Sequence, residues 1–166
     1  MKIEKLVLGP LETNCYIVSI NNDAIVIDPA DEIEKICLAL KDYNLKGILV
    51  THHHFDHVGA LKDLEDRFNL KHNSEYIEGF NYNVIKNPGH TMDSISFYFE
   101  ENKILFAGDF IFNGSIGRYD FLESSAVDMQ KSLEMISSYP DDITIYPGHG
   151  PHTILGNEKR LFKYYF

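Results

Sequence analysis

Cysteine is scarce in this sequence, and its placement excludes a disulfide framework. Cys15 lies in an apolar, strand-like run and Cys37 in a helix-like run, and no CxxC pair is present. No apolar run approaches the roughly 20 residues that span a bilayer, and residues 1–5 lack the apolar core of a signal peptide. We therefore expect two reduced core thiols in a cytoplasmic protein.

Basic side chains are also in deficit. The 15 Lys and Arg residues face 25 Asp and Glu residues, which gives a formal net charge of -10. The electric field of a chain with this negative charge repels a phosphate backbone and an anionic membrane surface. Bound divalent cations would reverse its sign locally, so the argument concerns partners at a distance. We expect a small-molecule substrate and neither nucleic acid nor a membrane as partner.

Linkers rich in Gly, Ser or Pro are absent, which predicts one domain over residues 1–166. A chain of this length buries roughly two-thirds of its unfolded surface, so it can build a core without disulfides. Apolar runs bounded by turn residues predict strands at residues 3–8, 15–20, 24–27, 47–51, 82–85, 94–99, 103–106 and 143–146. Three-and-four spacing of apolar residues predicts helices at residues 31–43, 60–68, 124–138 and 158–166.

The order of these elements predicts an α/β (α+β) architecture of two half-units, packed sheet on sheet with helices outside. Pro88-Gly89-His90 and Pro147-Gly148-His149 each follow a strand-like run, which is consistent with two similar halves. The helix at residues 124–138, capped by Ser124 or Ser125, is predicted to turn Val127, Leu133 and Ile136 inward.

The strongest chemical signal follows the fourth predicted strand. Within seven residues the chain carries five side chains that can bind metal: His52, His53, His54, Asp56 and His57. Side chains two apart in an extended segment point the same way, so His52 and His54 can meet at one ion while His53 points elsewhere. Imidazoles and a carboxylate without thiolates favour zinc, iron or manganese.

Three further candidates lie in turns that contain glycine. His90 follows Pro88-Gly89, Asp109 follows Gly108 at the end of an apolar run, and His149 lies between Gly148 and Gly150. Glycine permits the tight turns from which a side chain can project at a strand end. Asp109 is the natural candidate for a carboxylate that bridges two ions.

The motif His52-x-His54-x-Asp56-His57, followed by His90, Asp109 and His149, resembles the metallo-β-lactamase superfamily along nearly the whole chain. The stretches at residues 14–18, 88–91, 94–97, 108–109, 114–118 and 146–151 are similar to its glyoxalase II-like branch, the hydroxyacylglutathione hydrolases. Within the branch's conserved stretches, Asp93 replaces a glycine and Tyr119 a threonine. The resemblance implies a four-layer αββα sandwich, and the chain is similar to short members without the C-terminal helical domain.

The resemblance also implies the ligands of two divalent ions, zinc foremost. His52, His54 and His90 would hold the first, Asp56, His57 and His149 the second, and Asp109 would bridge them. Asp56 and Asp109 would be the catalytic carboxylates. The expected reaction is hydrolysis of a thioester such as S-lactoylglutathione, in which a water activated by the two ions attacks the carbonyl.

Other interpretations of these residues remain open. The mononuclear iron persulfide dioxygenases resemble this chain in the histidine motif and the glycine-rich loop but use one iron. A lactone or other ester hydrolase of the same fold is a second alternative. A non-enzymatic metal-binding protein is a third, although it would be expected to lack a ligand. Isolated histidines are more often ordinary core or surface residues, which is how we interpret His53, His72 and His152. An ion pair between Arg118 and Asp120 that braces the glycine-rich loop is as good an interpretation as substrate contact. The residues that bind substrate are not predicted.

Overall fold

The computed structural model describes all 166 residues, Met1–Phe166. The chain divides into two compact units, Met1–Asn81 and Tyr82–Phe166. This division agrees with the two half-units that the order of strands and helices indicates. The expectation that residues 1–166 form a single domain stays a prediction. No helix in the structure is long and apolar enough to cross a membrane.

The first unit contains a four-stranded sheet and three helices. Its strands are β1 (Lys2–Leu8), β2 (Thr13–Ile20), β3 (Asp23–Ile27) and β4 (Asn44–Leu49), and its helices are α1 (Ile33–Ala39), α2 (Phe55–Val58) and α3 (Leu61–Phe68). The sheet order is β1-β2-β3-β4, with β1, β2 and β3 antiparallel and β4 parallel to β3. The parallel pair requires a crossover, which α1 provides.

The second unit contains a five-stranded sheet, a short two-stranded ribbon, two α-helices and one 3-10 helix at Glu100–Asn102. Its strands are β5 (Asn83–Lys86), β6 (Ile95–Phe99), β7 (Ile104–Gly108), β8 (Ile111–Phe112), β9 (Ser115–Ile116), β10 (Thr144–Pro147) and β11 (Thr153–Ile154), and its helices are α4 (Ala126–Ile136) and α5 (Leu155–Phe162). The sheet order is β11-β10-β7-β6-β5, and only β7 and β10 are parallel. The ribbon pairs β8 with β9.

Each unit has its own apolar core. In the first, Val26 and Ile48 from the sheet are buried with Ile36 of α1 and Leu64 of α3. In the second, Leu105, Ala107 and Ile145 of the sheet are buried with Met129 and Leu133 of α4. Burial of this apolar area is the main stabilising contribution in each unit.

Three predicted elements have clearly different bounds in the structure, and a local cause is visible for the first two. The first helix begins at Ile33 rather than Asp31, because Glu32 adopts a left-handed conformation with φ 51°. Strand β4 begins earlier, at Asn44, where it pairs with Asp23. It ends at Leu49 because the amides of Val50 and Thr51 donate to side chains, Asn73 Oδ1 and Asp28 Oδ1. The last helix spans Leu155–Phe162 instead of residues 158–166.

The predicted orientation of helix α4 is partly wrong. Leu133 and Ile136 are buried as expected, but Val127 is 63% exposed and Met129 takes the inward position in the first turn. Ser125 rather than Ser124 caps the helix, since its side-chain oxygen accepts a hydrogen bond from the amide of Asp128. The cap sets where the helix begins, and the helical period then fixes which residues face inward.

Candidate metal centre

The histidine motif of the first unit follows directly after β4. His54 has an extended backbone and is the N-cap of helix α2, so Asp56 and His57 occupy the first turn of that helix. His52 Nε2 lies 3.2 Å from His54 Nδ1, as the extended spacing predicts. His57 Nε2 lies 3.6 Å from Asp56 Oδ2, and the rings of His52 and His57 are 4.2 Å apart. Four predicted ligands of this unit therefore lie together.

A buried carboxylate that the sequence analysis missed supports this group. Asp28 is 2% exposed and follows β3. Its Oδ2 accepts from His57 Nδ1 at 2.9 Å and from the Thr51 hydroxyl at 2.7 Å, while its Oδ1 accepts from the Thr51 amide. With its proton on Nδ1, His57 presents the lone pair of Nε2 to a metal, which is the usual effect of a carboxylate behind a ligating histidine.

Thr51 extends the same support to His52. Since the Thr51 hydroxyl donates its one proton to Asp28, it can only accept from His52 Nδ1, which lies 3.2 Å away. His52 then also presents Nε2 as a lone-pair donor. A polar residue directly after a buried strand, here Asp28 after Ile27, was the sequence signal that could have identified this carboxylate.

Electrostatics around Asp28 affect a neighbouring thiol. Cys15 is fully buried, and burial first, with the charge of Asp28 second, raises the pKa of its thiol. Cys37 is partly buried, and its Sγ lies 3.0 Å from Arg67 Nη1. Both cysteines are free, as expected from the sequence.

The second unit brings its three predicted ligands together. Strands β7 and β10 are parallel neighbours, so the residues after them, Asp109 and His149, emerge at the same edge of the sheet. Asp109 Oδ2 lies 3.5 Å from His149 Nε2 and 3.5 Å from His90 Nε2. One carboxylate oxygen therefore lies next to the metal-binding nitrogens of two histidines.

The backbone around this group fixes the histidine orientation. His90 Nδ1 donates to the carbonyl oxygen of Arg118 at 2.8 Å, so Nε2 carries the lone pair. Gly117 allows its own loop to pass close to the backbone of Asp109, because a Cβ at residue 117 would lie 1.8 Å from the carbonyl oxygen of Asp109. Gly89 is equally constrained, with φ at 150° and a would-be Cβ 2.5 Å from Met129 Cα.

The donor distances within each unit fit metal coordination. Bonds of about 2.0–2.1 Å in a tetrahedral site place two donor atoms about 3.3 Å apart. The four measured pairs are 3.2, 3.6, 3.5 and 3.5 Å apart. Nitrogen and carboxylate donors without thiolates suit divalent ions such as zinc, iron or manganese.

The loop beside these ligands contains the ion pair considered above. Arg118 makes two hydrogen bonds to Asp120, at 2.9 and 3.0 Å, and its guanidinium lies 4.2 Å from the centre of the Phe121 ring. The Tyr119 hydroxyl donates to the carbonyl of Tyr165, and Asp93 accepts from the Thr91 hydroxyl. Tyr119 and Asp93, the two residues that differ from the family pattern, therefore each make a hydrogen bond within this chain.

The remaining histidines lie apart from these ligands. His152 stacks on Tyr146 with ring centres 5.8 Å apart. His53 Nε2 lies 3.4 Å from His72 Nε2. His53 thus points elsewhere than His52 and His54, as the alternation of an extended segment predicts.

Comparison with known proteins identifies the family. The Metallo-beta-lactamase superfamily profile matches residues 8–82 and 70–149. The chain is 30% identical to hydroxyacylglutathione hydrolase GloC of Haemophilus influenzae, over 96% of this chain and 96% of that protein. Among solved structures it is similar to the B3 metallo-beta-lactamase BLEG-1, with a TM-score of 0.87, 27% identity and coverage of 96% of both chains.

It is also similar to TTHA1623 in a di-iron-bound form, with a TM-score of 0.86, 31% identity and coverage of 95% of this chain and 97% of the other. These similarities confirm the predicted fold class, the metallo-β-lactamase fold. Since the profile and the relatives both span most of the sequence, this chain belongs to the metallo-β-lactamase superfamily of metal-dependent hydrolases.

Proposed function

We propose that the chain is a dinuclear metal hydrolase that cleaves a thioester. The observation that carries the proposal is Asp109, whose Oδ2 lies 3.5 Å from the Nε2 atoms of both His90 and His149. A carboxylate with histidine ligands on two sides suits a bridge between two ions. The proposed ligands are the seven residues predicted from the sequence: His52, His54, Asp56, His57, His90, Asp109 and His149.

When bound, two divalent ions would polarise a carbonyl and lower the pKa of water toward neutrality. The chain's own residues supply orientation. Asp28 holds His57 directly and His52 through Thr51. In this proposal Asp56 orients the attacking water. The Thr13 hydroxyl holds the carboxylate of Asp56 in place, because it donates a hydrogen bond of 2.8 Å to Asp56 Oδ2. Residues held in this way lose little entropy when the substrate binds.

The proposed substrate is a small thioester. Hydrolysis forms a C–O bond from water and breaks the C–S bond, and the proton from water ends on the released thiol or in solvent. Thiolates leave without prior protonation because their pKa is low, near 8.5 for an ordinary thiol. Support comes from the Gly114–Asp120 loop pattern and from the similarity to GloC, whose name specifies an acylglutathione substrate.

Zinc is the proposed metal, and the same donors accept iron or manganese. TTHA1623, similar in sequence and fold, has a di-iron-bound form. The cytoplasmic location, and a partner set without nucleic acid or membrane, remain predictions from composition and charge.

The test combines metal analysis with a substrate panel. Protein purified without added metal is quantified for zinc, iron and manganese, then assayed with S-lactoylglutathione, simpler thioesters, a lactone, a β-lactam and glutathione persulfide. Two metals per chain with oxygen-independent thiol release would support the proposal. One iron with oxygen consumption on glutathione persulfide would favour the dioxygenase, and two metals without any turnover would favour a non-enzymatic protein.

Asp109→Ala tests the bridging role, with His152→Ala as the matched control outside the ligand set. We expect Asp109→Ala to lose one metal per chain and to reduce kcat by at least about a hundredfold, because removing a metal ligand removes transition-state stabilisation worth several kcal/mol. His152→Ala should keep both. Unchanged turnover in Asp109→Ala would contradict the bridge.

A further inference from the structure

A second pair of histidines lies outside the seven proposed ligands. His53 Nε2 and His72 Nε2 are 3.4 Å apart, and their rings meet edge to face at 66°. The side chain of His72 is 31% exposed, and His53 is exposed. The two come from separate segments, so only the folded first unit places their nitrogens together.

The backbone holds His72 in this position. Its segment forms a parallel bridge with Ile48 of β4. The backbone amide of Asn73 donates to the Ile48 carbonyl. The side-chain Oδ1 of Asn73 accepts from the Val50 amide at 2.8 Å, and its side-chain Nδ2 donates to the Val50 carbonyl. These bonds attach the segment carrying His72 to the strand end that leads into His53, so the pair is preorganised.

Glu65 sets the protonation pattern of the pair. Its Oε1 accepts from His72 Nδ1 at 2.9 Å and from the His72 amide at 3.0 Å. With its proton on Nδ1, His72 presents the lone pair of Nε2 toward His53, the arrangement in which a carboxylate supports a ligating histidine. Glu65 lies within helix α3, and its side chain is only 14% exposed. The helix backbone and the surrounding packing therefore hold the carboxylate beside His72.

We propose that His53 Nε2 and His72 Nε2 bind a divalent transition-metal ion of the Cu²⁺, Ni²⁺ or Zn²⁺ class, distinct from the seven-ligand site. Bonds of about 2.05 Å to nitrogens 3.4 Å apart subtend an angle of about 112° at the ion, close to tetrahedral. Imidazole pairs suit these three ions, and Cu²⁺ binds most tightly of them. Water completes the coordination on the exposed side. Glu65 acts as a positioning residue.

Protein loaded with two zinc equivalents per chain, enough for the proposed seven-ligand site alone, is titrated with Cu²⁺ and followed by electron paramagnetic resonance. Copper and zinc are quantified in every sample. Wild type should bind one copper per chain more than His72→Ala or His53→Ala, without loss of zinc, and its spectrum should show coupling to two imidazole nitrogens. His152→Ala should bind copper as wild type does. Zinc released during the titration reports copper that enters the seven-ligand site, so this copper is counted separately. Because the experiment measures metal binding and not turnover, its result does not depend on the proposed hydrolase activity.

Equal copper binding by wild type and His72→Ala would overturn the proposal, as would a wild-type spectrum without imidazole coupling. That spectrum needs no variant, so it decides the question even if a variant fails to fold. Glu65→Ala should weaken copper binding by about tenfold, whereas Glu65→Gln, whose amide oxygen can still accept from Nδ1, should retain most of it. Equal loss in both variants would contradict the positioning role.

Discussion

At the scale of single residues, Asp28 has the clearest role that sequence analysis did not assign. It accepts three hydrogen bonds, two from Thr51 and one from His57, and its φ of 51° is a conformation that few residues tolerate. Such backbone conformations often occur where the surrounding structure holds a functional group in place. Asp28 therefore connects the end of β3 to the orientation of two proposed ligands.

Asp28→Asn tests this connection. Asparagine has one acceptor oxygen and an NH₂ group, so at least one of the three donors would face another donor. We expect zinc affinity to fall by about 10–100-fold and the free energy of unfolding to fall by about 1–3 kcal/mol. Chelator competition and urea unfolding measure the two effects. Asp66→Asn, on an exposed side chain paired with Lys62, should change neither. Wild-type zinc affinity in Asp28→Asn would contradict the role.

The two cysteines should differ in reactivity. Only the thiolate reacts with alkylating reagents, and a raised pKa leaves less thiolate at a given pH. Burial raises the pKa of Cys15, while Cys37 is partly accessible. At pH 8 we expect iodoacetamide to modify Cys37 in the native protein and both residues after denaturation, measured by mass spectrometry. Cys37→Ser should abolish native labelling. Native modification of Cys15 would disprove the expected burial.

At the scale of elements, strand ends position the ligands and tight turns hold them. The loop from Asp109 to Gly117 returns on itself through β8 and β9, and the Gly117 amide donates to the Phe110 carbonyl. Buried Glu158 of α5 accepts from the Gly114 amide at 2.9 Å and attaches the loop to that helix. The position of Asp109 therefore depends on several elements.

Gly117→Ala should displace Asp109, because the added methyl group would lie 1.8 Å from its carbonyl oxygen and 3.3 Å from His90 Cβ. We expect a loss of about 1–3 kcal/mol of stability together with weaker metal binding, measured by thermal unfolding and metal analysis. The control is Gly79→Ala, where φ is 85° but no atom lies within 4 Å. Its strain should cost about 1–2 kcal/mol and leave metal binding intact. Equal metal content in both variants would argue against the constraint.

Elements with an apolar run or a helical period could be predicted from the sequence, including the four-residue strands β5 and β10, whereas two-residue strands and a single helical turn could not. Strand β1 and helix α3 were predicted within one residue, because their apolar spacing extends over most of their length. The two-residue strands β8, β9 and β11 and the one-turn helix α2 were missed, since no period can be recognised in so few residues. The exposed Val127 was misassigned because helical spacing alone does not fix which face turns inward.

At the scale of the whole molecule, metal binding should stabilise the fold. An ion that binds the folded chain at one hundred times its dissociation constant contributes about 2.7 kcal/mol per site. A chain of this size changes Tm by roughly 2–4 °C per kcal/mol. We expect chelator-treated protein to unfold below zinc-loaded protein by roughly 5–10 °C for each occupied site, measured by calorimetry, with a smaller difference in Asp109→Ala. An unchanged Tm would contradict a metal site formed by the native fold.

The sequence by itself determined the candidate donors. Spacing within an extended segment makes His52 and His54 converge and sends His53 elsewhere, and glycine turns mark His90, Asp109 and His149 at strand ends. These are local properties, set by backbone geometry over a few residues. They mark the candidate residues, and the resemblance of the whole motif to the metallo-β-lactamase superfamily implied the family and the list of proposed ligands.

Only the tertiary structure decided what supports those donors. Asp28 meets His57, Glu65 orients His72, and His53 meets His72 because strands and helices distant in sequence pack together. The physical reason is that a hydrogen bond or a metal site depends on angstrom-scale distances between atoms, whereas sequence patterns specify only the direction in which a side chain leaves its own element.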